Sequence, residues 1–181
     1  ESYTTEILML YEEIDMAIEN LEEWMSPISE KTPITSMPAK SYTLYEPMGL
    51  TLIISPWNYP FQLAMDPLIG AIAAGNTVIL KTSRKSKETS KLIRSILNKN
   101  FDPEFIYVVD NDKVGHDELL SYNYDHIFYT GGSAVGKTIM EKASKNLSKV
   151  TLELGGKSPT IVEKDADISL AARSIAWGNT V

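Results

Sequence analysis

With 181 residues, 43% of them hydrophobic and 23% charged, the chain can form one compact unit and a little more, with an ordinary globular composition. A formal net charge of −7 argues against nucleic acid as a partner. The absence of cysteine excludes a disulfide framework, a thiolate metal site and a cysteine nucleophile within these residues, and no metal site is expected.

The first 25 residues place Ile7, Leu10, Tyr11, Ile14, Ile18 and Leu21 at helical spacing, with acidic residues on the other face. That pattern predicts an amphipathic helix over residues 1–25 packed against another element. Glu1 already stands in this pattern, without the basic-then-apolar profile of a secretory leader, so sequence upstream of it is expected. No run is apolar enough to cross a bilayer, and the expected location is cytoplasmic. Residues 26–48 read as a linker and bridging segment. Ser26–Pro38 is rich in Pro, Ser and Thr, and Ser41–Leu44 alternates weakly, as a short strand would.

From Gly49 the pattern changes. Strands are predicted at Leu50–Ile54, Thr77–Leu80, Phe105–Val109, Ile127–Tyr129 and Val150–Leu154. Helices are predicted between them at Phe61–Ala74, Lys85–Leu97, near Asp117–Leu120, and at Ala134–Leu147. Gly75-Asn76 suits the end of the first of these helices. Pro67 either bends it or opens it after Asp66 as N-cap. Such alternation implies an α/β unit over residues 49–164: a Rossmann-like parallel sheet with helices on both faces. Sheets of this kind bind ligands beyond the carboxyl ends of their strands. The loops of interest are therefore Ser55–Pro60, Lys81–Arg84, Asp110–Gly115, Thr130–Gly136 and Glu153–Pro159.

One of these loops carries a second message. Gly131-Gly132-Ser133-Ala134-Val135-Gly136-Lys137-Thr138 fits the phosphate-loop pattern of nucleotide hydrolases, with a strand before and a helix after it. Such an enzyme also needs an acidic residue on a second strand for its metal, and the chain beyond Thr138 is short for the further strands. The competing reading is a glycine-rich helix entry whose backbone N–H groups meet a dinucleotide pyrophosphate, with Lys137 and Thr138 facing solvent.

Four motifs decide between them: Pro56-Trp57-Asn58-Tyr59-Pro60-Phe61, Ala74-Gly75-Asn76-Thr77-Val78-Ile79-Leu80-Lys81, Phe128-Tyr129-Thr130-Gly131-Gly132, and Glu153-Leu154-Gly155-Gly156-Lys157-Ser158-Pro159. In this order and spacing they resemble the aldehyde dehydrogenase superfamily across nearly the whole chain. The chain is most similar to the class 3 branch that includes fatty-aldehyde enzymes, which Trp177-Gly178-Asn179 also fits.

The resemblance implies oxidation of aldehydes to carboxylic acids with NAD or NADP. In this family a cysteine thiolate attacks the aldehyde, an oxyanion develops, hydride passes to the nicotinamide, and water hydrolyses the thioester. Asn58 corresponds to the oxyanion donor. Glu153 corresponds to the base that activates water, and its retention favours free acid over an acyl-coenzyme A product. Ile54, Ser55, Pro56 and Trp57 are expected along the cofactor cleft, Pro56 and Trp57 as a wall beside the nicotinamide. Lys81 resembles the lysine that reaches the adenosine ribose, with Ser83 nearby. Arg84 stands where the family often has a ribose-binding glutamate; a guanidinium attracts a 2′-phosphate, so NADP is expected to be accepted or preferred. Gly131, Gly132 and Gly136 correspond to the loop near the pyrophosphate, and Leu154 and Gly155 complete the set. His116 and His126 match no family site and are read as structural.

The family's nucleophilic cysteine would follow Val181. Residues 165–181 are accordingly expected to lead toward a catalytic domain outside this chain, which alone is expected to bind a dinucleotide without oxidising aldehydes. The complete enzyme is expected to be a homodimer acting on an aldehyde substrate; nucleic acid is not expected as a partner, nor a membrane for this segment. A P-loop hydrolase and a catalytically inert dinucleotide-binding fragment remain the alternatives.

Overall fold

The computed structural model describes residues 3–178; Glu1, Asn179 and Val181, on which expectations were placed, lie outside the described residues. A π-helical segment, Tyr3–Ile7, runs into α1 (Leu8–Trp24), which packs on α2 (Gln62–Ala73). The segment expected to be a linker contains a strand. There β1 (Ile28–Glu30) pairs antiparallel with β2 (Ser41–Thr43). Polar side chains hold this hairpin: the Ser41 N–H donates to Thr32 Oγ1 at 3.0 Å, and Thr43 Oγ1 donates to Glu30 Oε1 at 3.0 Å. A strand stabilised this way lacks the apolar alternation by which strands are recognised.

The main sheet is parallel throughout. Its strands are β3 (Leu50–Ile54), β4 (Thr77–Lys81), β5 (Ile106–Val108), β6 (His126–Gly131) and β7 (Lys149–Leu154), in the spatial order β5-β4-β3-β6-β7. The helices after α2 are α3 (Lys87–Asn100), α4 (His116–Leu119), α5 (Ser133–Ser144) and α6 (Ile168–Gly178). The predicted Rossmann-like architecture is therefore present, with helices on both faces. Alternation along β3 shows why. Ile53 points into a core with Ala64 and Leu68 of α2 and Ile93 and Leu97 of α3. Leu52 and Ile54 point the other way, toward Ile139 and Ala143 of α5 and Leu119 of α4. Each fully buried aliphatic side chain contributes about 1.5–3 kcal/mol.

Because β3 feeds β4 on one side while β6 returns on its other side, the chain changes direction between β3 and β6. This switch point is where such sheets open a crevice.

The ends of α2 fix how that crevice is framed. Pro67 lies inside the helix, which starts at Gln62, so Asp66 is not its N-cap. The start is capped from a distance instead: the carboxylate of Glu6 accepts the N–H groups of Phe61 (2.9 Å) and Gln62 (3.3 Å). A carboxylate there satisfies orphan donors and favours the positive end of the helix dipole. At the other end Gly75 takes φ +78°, its N–H reaching Ile72 O at 2.8 Å while that of Asn76 reaches Ala71 O at 3.0 Å. This paired termination needs the left-handed residue that glycine supplies.

Candidate functional site

At the carboxyl ends of β3, β4, β6 and β7 lies a cleft of about 1200 Å³. A volume above the usual 300–1,000 Å³ of a closed ligand pocket suits an elongated ligand. Ile54, Ser55, Pro56, Trp57 and Asn58 reach it from β3, and Lys81, Ser83 and Arg84 from β4. Gly131 and Gly132 reach it from β6, and Glu153, Leu154 and Gly155 from β7. Asn58 and Glu153, separated by most of the unit in sequence, thus line one cavity. Of the expected site residues, Gly136 alone is elsewhere.

The loop after β3 follows from its sequence. The Ser55 N–H still donates to Lys81 O at 3.0 Å, extending the ladder one residue past the strand. Pro56 has no N–H to continue it. The chain then turns through Tyr59 at φ +43°, leaving Trp57 and Asn58 exposed at the opening. The Lys85 ammonium lies over the Trp57 ring, 5.7 Å from its centroid, a cation–π contact that braces the wall. Among the described residues the Asn58 amide makes no hydrogen bond, so it is free to donate into the cleft.

Glu153 sits opposite Thr130 in the β6–β7 ladder. Its neighbours Leu152 and Leu154 face α5, where a Cβ on Gly136 would meet Leu154 Cδ2 at 3.1 Å and Leu152 Cδ1 at 3.5 Å. Alternation therefore turns Glu153 to the opposite face of the sheet from α5. The same contacts explain Gly136, which is buried under the helix rather than placed at the cleft, where it permits close helix–sheet approach.

The glycine-rich loop has a shape of its own. A Cβ on Gly131 would fall 2.6 Å from Tyr129 Cζ, so a side chain there would have to displace the buried Tyr129 ring. The Tyr129 hydroxyl donates to Gly132 O at 3.2 Å, fastening the turn. α5 begins at Ser133, and the Gly136 N–H already bonds Gly132 O at 3.1 Å. The residues that would wrap a phosphate in a P-loop are therefore helical. Lys137 and Thr138 are exposed outside the cleft, with Thr138 Oγ1 bonded back to Ala134 O at 3.3 Å. What the cleft receives is a helix N-terminus with no side-chain cap, preceded by glycine, a fit for a pyrophosphate.

The β4 end of the cleft is cationic. Lys81 is 1% exposed, and its ammonium donates to Asn111 Oδ1 at 2.8 Å. Asn111 in turn donates to Thr82 Oγ1 at 3.0 Å, and its backbone carbonyl accepts Arg84 Nε at 2.7 Å. Burial, helped by the Arg84 charge, holds the Lys81 ammonium below the ordinary lysine range. His116, read as structural, lines this same end. Burial, then Lys81 and Arg84, depress its pKa, and Asp117 opposes them. The four motifs assign a site role to neither Asn111 nor His116. The sequence signal for them is faint: Asn111 lies within the Asp110–Gly115 loop at a strand's carboxyl end, and His116 is one residue past it. His126 is away from the cleft, its Nε2 2.9 Å from Thr151 Oγ1.

Comparison with known proteins settles the lineage. The aldehyde dehydrogenase family model matches residues 2–181. The chain belongs to the aldehyde dehydrogenase family. An aldehyde dehydrogenase family 3 protein of Dictyostelium discoideum is 50% identical over 179 residues, 98% of this chain and 38% of that protein. The substrate-bound structure of AldH from Staphylococcus aureus superposes with a TM-score of 0.91 at 42% identity, covering 98% of this chain and 39% of that one. Succinic semialdehyde dehydrogenase from Streptococcus pyogenes, solved with NADP+, gives a TM-score of 0.72 at 25% identity over 89% of this chain and 35% of that one. The resemblance carried by the four motifs therefore holds, including its class 3 branch. This aldehyde dehydrogenase chain spans less than two fifths of the length of these relatives.

Proposed function

We propose that this chain is the cofactor-binding portion of an enzyme that oxidises aldehydes to carboxylic acids with NAD(P)+, residues 49–164 forming the dinucleotide unit. The supporting observation is that a free amide at Asn58 and a carboxylate at Glu153 line the same cleft as Lys81 and the uncapped start of α5. When bound, the dinucleotide supplies the hydride acceptor. Lys81 would hold the ribose end, the N–H groups after Gly132 would meet the pyrophosphate, and Trp57 and Pro56 would flank the nicotinamide. Asn58 donates to the oxyanion as the carbonyl is attacked; one such donor is worth about 3 kcal/mol in the transition state. Glu153 takes the proton from the water that releases the acid. Arg84 supports acceptance of NADP, and the streptococcal relative was solved with that cofactor. The complete protein is proposed to be a cytoplasmic homodimer.

No thiol exists among the 181 residues to serve as nucleophile. Calorimetric titration of the chain with NAD+ and NADP+, beside a turnover assay with a medium-chain aldehyde, tests the reading. Saturable binding of at least one dinucleotide without turnover is expected. Turnover by the chain alone would overturn the account of the nucleophile. Failure to bind either dinucleotide would remove the cofactor role, and ATP-dependent phosphate release would restore the P-loop alternative.

A further inference from the structure

Two cations at the β4 end of the cleft have only neutral partners. The buried Lys81 ammonium is bonded to a side-chain amide, and the Arg84 guanidinium to the carbonyls of Asn111 (2.7 Å) and Val114 (3.5 Å). Among the described residues neither forms a salt bridge. Arg84 is exposed, but the Lys81 charge is buried, and buried charge ordinarily recruits an opposite charge. Here that opposite charge is left for a ligand, and an extended cleft with two uncompensated cations at one end suits a phosphate dianion there. A third group shares this end. His116 opens α4 two residues past Val114, whose carbonyl accepts from Arg84, and it lines the cleft; the charges acting on it are Lys81 from β4, Arg84 from the β4–α3 loop and Asp117 of α4 itself. Asp117 is engaged by Lys142 of α5 at 2.7 Å, so it offers the imidazole little compensation.

We propose that His116 takes up a proton when a 2′-phosphorylated adenosine occupies this end of the cleft, making recognition of the phosphorylated cofactor proton-linked and that of the unphosphorylated one independent of this histidine. The inference rests on the dinucleotide reading of the cleft. Its basis is a change of sign. Without ligand, Lys81 and Arg84 oppose a charge on His116; with a dianion between the three groups, the net field favours it. By linkage, a ligand that raises the proton affinity of His116 is itself bound more tightly once His116 is protonated. The gain is about tenfold in affinity for every tenfold gain in proton affinity.

The chain has two histidines, so each can be followed by proton NMR. Titrations would be run on the chain alone and with saturating 2′,5′-ADP, 5′-AMP or inorganic phosphate. The expected result is a His116 midpoint raised by about one pH unit with 2′,5′-ADP and unmoved by the other two ligands, with His126 constant throughout. Affinity for 2′,5′-ADP should then rise as pH falls from about 8 to about 6, relative to a His116→Gln variant that reports the phosphate's own titration. If 2′,5′-ADP and 5′-AMP both bind and the midpoint stays fixed, the proton linkage is wrong while the cofactor reading stands. An equal rise with inorganic phosphate would show a plain anion site and overturn the assignment to the 2′-position. If neither nucleotide binds, the dinucleotide reading falls and takes this inference with it.

Discussion

Lys81 separates two roles that a single side chain often confounds. Its buried ammonium carries a desolvation cost in the fold and a charge for the ligand. Lys81→Met keeps the length of the side chain, relieves the cost and leaves Asn111 Oδ1 without its donor. The two effects oppose each other, so the expected change in stability is within about 1 kcal/mol, while dinucleotide affinity falls roughly tenfold or more. Denaturant melts and ligand titration of the same variant check this. A large destabilisation with unchanged affinity would make Lys81 a structural residue only. At this scale the sequence was informative where a residue belongs to a contiguous motif, as with Asn58, Lys81 and Glu153. It was uninformative for Asn111 and His116. Their nearness to Lys81 and Arg84 comes from the loop after β5 folding back against the end of β4, which no local spacing encodes.

Among the elements, α5 carries a mismatch at its end. Ser148 N–H reaches Ala143 O at 3.1 Å and Leu147 N–H reaches Ser144 O at 3.4 Å, the same termination that Gly75 makes after α2. Here the left-handed position, φ +56°, is held by Leu147, which is 90% exposed. A leucine gives up about 1–2 kcal/mol in that conformation and gains no burial for it. Leu147→Gly is therefore expected to stabilise the chain by about 1 kcal/mol, read as a higher denaturation midpoint; an unchanged or lower midpoint would show that this strain is absent. The elements themselves were legible where periodicity was strong. Leu50–Ile54 is found as predicted, and β4 and β7 lie within a residue of expectation. β1 escapes because hydroxyl and carboxylate bonds hold it; the resemblance alone assigns Gly136 to the pyrophosphate loop, although the predicted helix already contains it, and its place in α5 turns it to the sheet.

For the whole molecule, the two histidines set the response to acid. Both have folded pKa values below the ordinary 6.5, His116 through burial and its cationic neighbours, His126 through burial and Lys149. Once pH drops below that value the unfolded chain binds protons that the folded chain resists. Their contribution is therefore complete above 6.5 and is lost as pH falls through the folded values. Asp110 and Asp117, held down chiefly by hydrogen bonds from Arg94 and Lys142, act in the same direction only below 3.8. Melting temperature is expected to fall between about pH 7.5 and about pH 5, and the slope to flatten in a double His→Gln variant. An equal slope in that variant would place the acid sensitivity elsewhere. On the alkaline side two effects oppose each other: the Lys81 penalty eases as pH climbs toward 10.5, while burial pushes the Tyr124 hydroxyl up to about 12, so its contribution is lost as pH rises above 10.

The carboxylate of Glu6 gives this architecture a tether across 55 residues of chain, from the first helical segment to the helix that begins just past Asn58. Preparations shortened ahead of Leu8, or fused there to a bulky tag, would leave two amide protons of that helix without their acceptor and loosen one lip of the opening. Differences in ligand affinity between such preparations should then be sought in how each one begins, before any residue of the cleft is held responsible.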